Sequence, residues 1–102
     1  MPELVFYVCY NVVIKIAIAI CAKNNLRVKS QSGHHAELIN KLAETLGDNS
    51  ILDNANRMRR KRNLDLYGGG LFISGKEAEK YQGFCRHLLD LADSYLFPGK
   101  ML

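Results

Sequence analysis

LVFYVCYNVVIKIAIAICA, residues 4–22, can be read as a strand, a membrane span or a buried helix, and that choice decides the fold. Val5, Val8, Val12, Val13, Ile14, Ile16, Ile18 and Ile20 are β-branched and would suit a strand. Length argues against one, because strands usually run ~3–10 residues and no Gly or Pro breaks this stretch. A membrane span needs ~17–25 apolar residues, and Asn11 and Lys15 interrupt a run already at the short limit. Glu3, with no basic segment before the run, argues against a secretory signal. The expectation is a helix over about residues 3–24, apolar on nearly every side. In a small domain that implies cover from a second subunit, so we expect a homodimer and no membrane partner.

Three more helices follow outward from this one. His35, Leu38, Ile39, Leu42 and Leu46 keep helical spacing, and Gly47 supplies a stop, which gives a second helix over residues 34–46. After Asp48-Asn49-Ser50, with Ser50 or Asn49 as N-cap, a third helix covers about residues 51–67. Gly68-Gly69-Gly70 is a flexible turn, and Ser74-Gly75-Lys76-Glu77 has the form of a capping box. A fourth helix, about 75–97, carries a core stripe of Tyr81, Phe84, Cys85, Leu88, Leu89, Ala92, Tyr95 and Leu96. With 102 residues, 48% of them hydrophobic, this is one globular domain over residues 1–102. The expected architecture is all-α, an up-down-up-down four-helix bundle. That topology would gather Arg27, Lys29, His34, His35, Arg59, Arg62, Asn63, Tyr67 and Lys76 at one end. Glu44, Asp48, Asp53, Asp90 and Asp93 would collect at the other.

The net charge is +4, and five of the 14 Lys and Arg residues fall within residues 57–62. A basic run is usually a solvated face, which suffices for Arg57, Arg60 and Lys61. Arg62, however, falls within the apolar stripe of Ile51, Ala55, Met58 and Leu66, with Arg59 at its edge. A guanidinium cannot lose its proton there and needs a partner, an exit to solvent or an anionic ligand. Asn63 and Tyr67 project side by side next to it. Buried Arg–Asn–Tyr bonding also stabilises cores, so the spacing alone leaves a structural use open. As a site, Arg62, Asn63 and Tyr67 would hold and orient a phosphate. Arg59, Arg60, Lys61, His34 and His35 are the candidate RNA- or phosphate-binding residues around them. Clustered Arg favours RNA or a nucleotide as partner. Cys9, Cys21 and Cys85 lack metal spacing and suit reduced, buried thiols, so the expectations are a cytoplasmic location, no metal and no cofactor.

Arg62-Asn63-Leu64-Asp65-Leu66-Tyr67, closing the third helix of a small four-helix chain, resembles the signature of HEPN domains (higher eukaryotes and prokaryotes nucleotide-binding). The family pattern is Arg, often a polar residue next, and His four to six residues after the Arg. The Gly-rich turn and Gly33-His34-His35 at the start of helix 2 are similar too. Arg62 matches the family arginine and Asn63 the polar residue, whereas Tyr67 stands where the histidine would be. The resemblance implies a dimer whose two motifs face each other. It also implies a metal-independent endoribonuclease of a prokaryotic toxin–antitoxin or defence system, with an antitoxin as partner. The alternative it implies is a non-catalytic RNA- or nucleotide-binding partner of a minimal nucleotidyltransferase. For cleavage, Tyr67 or His35 has to replace the missing histidine. A purely structural dimerisation module is the remaining reading.

Overall fold

The computed structural model describes residues 1–26, 33–66 and 68–99. Among these, all regular structure is helical: α1 (Pro2–Lys23), α2 (His34–Leu46), α3 (Asn49–Leu66) and α4 (Gly75–Leu96). The all-α, four-helix expectation therefore holds, with boundaries within two residues of those read from the sequence.

The helix ends follow local chemistry. Pro2 opens α1, where its missing N–H costs nothing. Gly47 closes α2 in the left-handed region at φ 67°. The residue that caps α3 is Asp48, rather than Ser50 or Asn49. Its Oδ1 accepts from the Ser50 N–H at 2.9 Å and from Ser50 Oγ at 2.7 Å, because a carboxylate before the first turn satisfies free N–H groups. The glycine turn after α3 is a hydrogen-bonded stop. Gly69 N–H donates to Leu64 O at 2.8 Å and Gly68 N–H to Asp65 O at 3.1 Å, a Schellman pairing. Gly68 has φ 85°, and a Cβ on Gly69 would lie 2.9 Å from Leu64 O. Ser74 completes the expected capping box of α4, its Oγ accepting from Glu77 N–H at 3.1 Å while Glu77 accepts from Ser74 N–H. Ser74→Ala should lower the unfolding free energy by about 1 kcal/mol, read from urea midpoints; no change would mean the cap contributes nothing.

All four helices contribute to one core. Phe6, Tyr10, Val13 and Ile20 of α1 meet Ile39 and Leu42 of α2, Ile51 and Met58 of α3 and Leu88 of α4, with Ile73 from the α3–α4 connection. α1 is the central element, packing most extensively on α4 and α2, while α3 and α4 barely meet.

The helix directions depart from up-down-up-down. Glu3 accepts from the Ile73 N–H, Phe6 meets Tyr81, and Lys23 bonds the Tyr95 and Leu96 carbonyls. These contacts advance together along both chains, so α1 and α4 run in the same direction. Tyr7 meets Asp65 and Tyr10 meets Arg62, so α3 runs against α1. The short turn at Gly47 and Asp48 makes α2 and α3 antiparallel. The starts of α1, α2 and α4 therefore surround the end of α3. Basic residues still gather at one pole, but the end of α1 is not part of it.

α1 is long and apolar enough to cross a membrane by length and composition, and half of that span is buried inside the domain. Burial on nearly every side does not hold. One face enters the core; the opposite face shows Leu4, Val8 and Ile18 to solvent, beside Leu89 of α4. A groove of about 550 Å³ lies there, lined by Val8, Val12, Ile16, Ala19, Leu89 and Leu96 among others.

Candidate functional site

The α3 stripe is buried through Ile51, Ala55 and Met58 and then changes character. Leu66, expected to continue it, is 60% exposed. The inward positions after Met58 go instead to Arg62 and Asp65, because two tyrosines of α1 stand opposite them. Asp65 accepts a hydrogen bond from the Tyr7 hydroxyl. That bond, with burial, pushes the Tyr7 phenol above its ordinary pKa. The Arg62 guanidinium carbon sits 5.6 Å from the Tyr10 ring centre, a cation–π contact. Arg62 is half-buried, and neither it nor Arg59 forms an ion pair with a carboxylate among the described residues. Arg59 instead donates Nε–H to Asn56 Oδ1 at 3.2 Å.

Tyr10 links this arginine to the histidines. Its side chain is 1% exposed, and its hydroxyl lies 2.9 Å from His35 Nδ1. The His34 and His35 rings meet edge-on at 4.5 Å between centres. Burial first, then His34, Arg62 and Arg59, push the His35 pKa below its ordinary value. His35 is therefore neutral at pH 7, a half-buried imidazole in a positive field. Burial raises the Tyr10 pKa, with the two arginines opposing, so its hydroxyl keeps its proton.

The lowered His35 pKa makes stability pH-dependent. The unfolded chain takes up the proton first, so the contribution is complete above about pH 6.5 and is lost as pH falls through the lower folded value. Urea midpoints should drop between pH 7.5 and pH 5, and His35→Gln should flatten that slope. An unchanged slope would place the titration elsewhere. Asp48 and Glu77, whose pKa values are lowered by bonds to Ser50 and Lys61 respectively, act in a separate, more acidic window.

The candidate residues thus divide. Arg62, Arg59, His35 and His34 come together around Tyr10. Asn63 is half-buried next to Arg62, with no side-chain hydrogen bond among the described residues. Lys61 is paired with Glu77 at 3.1 Å, toward the start of α4, and Arg60 is exposed. Tyr67, Arg27 and Lys29 lie outside the described residues. Tyr10, Tyr7 and Asp65 were missed as site residues. The available signal was two hydroxyls at i, i+3 on an otherwise apolar helix, which read equally well as core aromatics.

His87 is exposed and bonds Asp48 at 3.3 Å, a surface link between α4 and the α2–α3 turn. The three cysteines are free and buried, and burial together with the neighbouring Cys9 pushes the Cys85 thiol up to about 11. Among the described residues no group of three His, Cys, Asp or Glu side chains is placed to hold a metal ion.

The arrangement can bind an oxyanion. Two guanidiniums supply charge with no carboxylate within ion-pair distance among the described residues, and a neutral imidazole supplies a directed nitrogen. Comparisons of the chain with protein-family models, with curated proteins and with solved structures return no match.

Proposed function

We propose that the basic pole binds RNA phosphate and that the chain is an RNA-directed, HEPN-like protein of the toxin or defence type. One observation carries this reading: Arg62 and Arg59, half-buried and without carboxylate partners among the described residues, stand beside a neutral His35. A structural arginine in a core normally has its charge matched. Here neither guanidinium has a carboxylate within ion-pair distance among the described residues, the nearby Asp65 being engaged by the Tyr7 hydroxyl, and both act on Tyr10, which suits an anionic ligand.

Cleavage is the second reading, favoured by the closeness of His35 to Arg62. It needs a base that takes the proton from the ribose 2′-hydroxyl as the 2′-oxygen attacks phosphorus. The P–O5′ bond then breaks, the 5′-oxygen taking a proton from water or from the protonated base, and a 2′,3′-cyclic phosphate remains. The decisive test is incubation of the full chain with end-labelled single-stranded RNA in EDTA, alongside a salt titration of binding. RNA binding that weakens steeply with salt is the expected result, and a flat response would remove the nucleic-acid role. Cyclic phosphate ends would make the protein a metal-independent endoribonuclease. Intact but bound RNA would favour the non-catalytic partner of a nucleotidyltransferase, and ATP in place of RNA separates a nucleotide site from an RNA site.

A homodimer fits this proposal through the open apolar face of α1 and α4. Tyr7 and Tyr10 leave α1 on the side opposite Val8, Val12 and Ile16, so such a dimer would turn its two basic poles outward, unlike the facing motifs that the HEPN resemblance implies. Sedimentation of the full chain reads the assembly directly, and a monomer at every accessible concentration would end the dimer proposal.

A further inference from the structure

The Tyr10 hydroxyl is buried, and its only hydrogen-bond partner among the described residues is His35 Nδ1, at 2.9 Å. A buried O–H that donates to nothing is costly, so its proton has to point at an acceptor. The sole acceptor offered is the Nδ1 lone pair. A neutral imidazole that accepts at Nδ1 carries its proton at Nε2. His35 Nε2 has no hydrogen-bond partner among the described residues.

We propose that Tyr10 is a positioning residue that holds His35 in the Nε2–H tautomer, so that the basic pole offers a phosphate oxygen a neutral N–H donor beside the Arg62 guanidinium. This deepens, and rests on, the reading of the pole as a phosphate site. Its consequence is chemical. In this tautomer His35 has no free lone pair and cannot take a proton from a 2′-hydroxyl. The site recognises phosphate oxygens without supplying its own histidine base. Burial favours the same state, since it keeps both the phenol and the imidazole neutral at pH 7. Tyr10 also lies under Arg62, so one side chain sets both donors against each other. A bond of this kind narrows the imidazole's orientations before ligand arrives.

The test is side-chain ¹⁵N NMR of the full chain at pH 7.5, wild type and Tyr10→Phe, titrated with a single-stranded oligoribonucleotide at low salt. In wild type, Nε2 should appear protonated and Nδ1 unprotonated, and RNA should shift the Nε2–H signals. Tyr10→Phe keeps the ring under Arg62 and removes only the hydroxyl. It should mix the His35 tautomers and weaken RNA affinity about three- to tenfold, the worth of one directed hydrogen bond. An Nδ1-protonated His35 in wild type overturns the positioning role, whether or not RNA binds and whether or not the variant folds. If the tautomer is as expected but RNA leaves both the Nε2 signals and the anisotropy of a labelled oligonucleotide unchanged, the phosphate reading of the pole fails. The bond to Tyr10 is then a core contact, and the positioning role falls with it. RNA binding with Nδ1 protonated leaves the phosphate site standing and returns His35 as a candidate base.

Discussion

Arg62→Ala should weaken binding of single-stranded RNA by roughly ten- to a hundredfold at low salt, the largest functional effect expected of any single change in this chain. Truncation removes a guanidinium whose hydrogen bonds to phosphate are charge-assisted, worth ~1.5–3 kcal/mol each. It also removes a cation from a pole where Arg59 is the nearest remaining one. The slope of log affinity against log salt should fall by about one. Arg62→Lys should land between the two, keeping the charge and losing the planar fork. Arg60→Ala is the control. Arg60 is exposed and outside the cluster, so its loss should cost no more than about twofold. Fluorescence anisotropy on the three variants decides the matter. Equal losses at positions 60 and 62 would mean that RNA reads diffuse charge and not this site. The Arg62 contact with Tyr10 also contributes to the fold, so each variant is compared only after circular dichroism shows it folded.

Phe6→Ala should have the largest effect on stability, about 3–5 kcal/mol. Phe6 is fully buried on α1, the helix that every other helix packs against. Its ring meets Tyr81 at 5.4 Å and lies 6.5 Å from Tyr10. The cavity would open between α1 and α4, where aromatic rings on both sides limit collapse. Domains of this size have ~5–15 kcal/mol in total, so a loss of this size removes a large share of it. The melting temperature should fall by at least about 12 °C. Val8→Ala is the contrast, because Val8 is 54% exposed on the opposite face of the same helix. It should cost well under 1 kcal/mol in a monomer. A loss at Val8 that grows with protein concentration and fades on dilution would show that a second copy covers that face.

Much of the local structure was legible in the residues. The Gly47 stop and the Ser74–Glu77 capping box were read correctly, because caps are made by neighbours in sequence. The cap of α3 was misplaced by one or two residues, since Asp48, Asn49 and Ser50 are all good caps and only geometry chooses among them. The site was legible in part. Placing Arg62 on the buried side of α3 and His35 on the apolar side of α2 needed only the helical period. Reading Leu66 as core failed, because the period says which side faces inward but not how far along a helix the core extends.

Residues within a few positions of one another were enough to specify the four helices, their ends to within two residues and the inward face of α2; they did not specify the inward face of α1, which is apolar nearly all round, or the exposure of Leu66 and Leu89. How the helices run and which polar groups meet follow from the packing of all four together. The connections 24–33 and 67–74 have ten and eight residues, enough to span roughly 25–35 Å, so chain length does not force neighbouring helices to alternate. Packing sets α1 and α4 running together, and that brings Tyr7 and Tyr10 against Asp65 and Arg62. The bond from Tyr10 to His35 spans 25 positions of chain. No period or spacing encodes it, because it exists only once three helices have closed around the same buried hydroxyl.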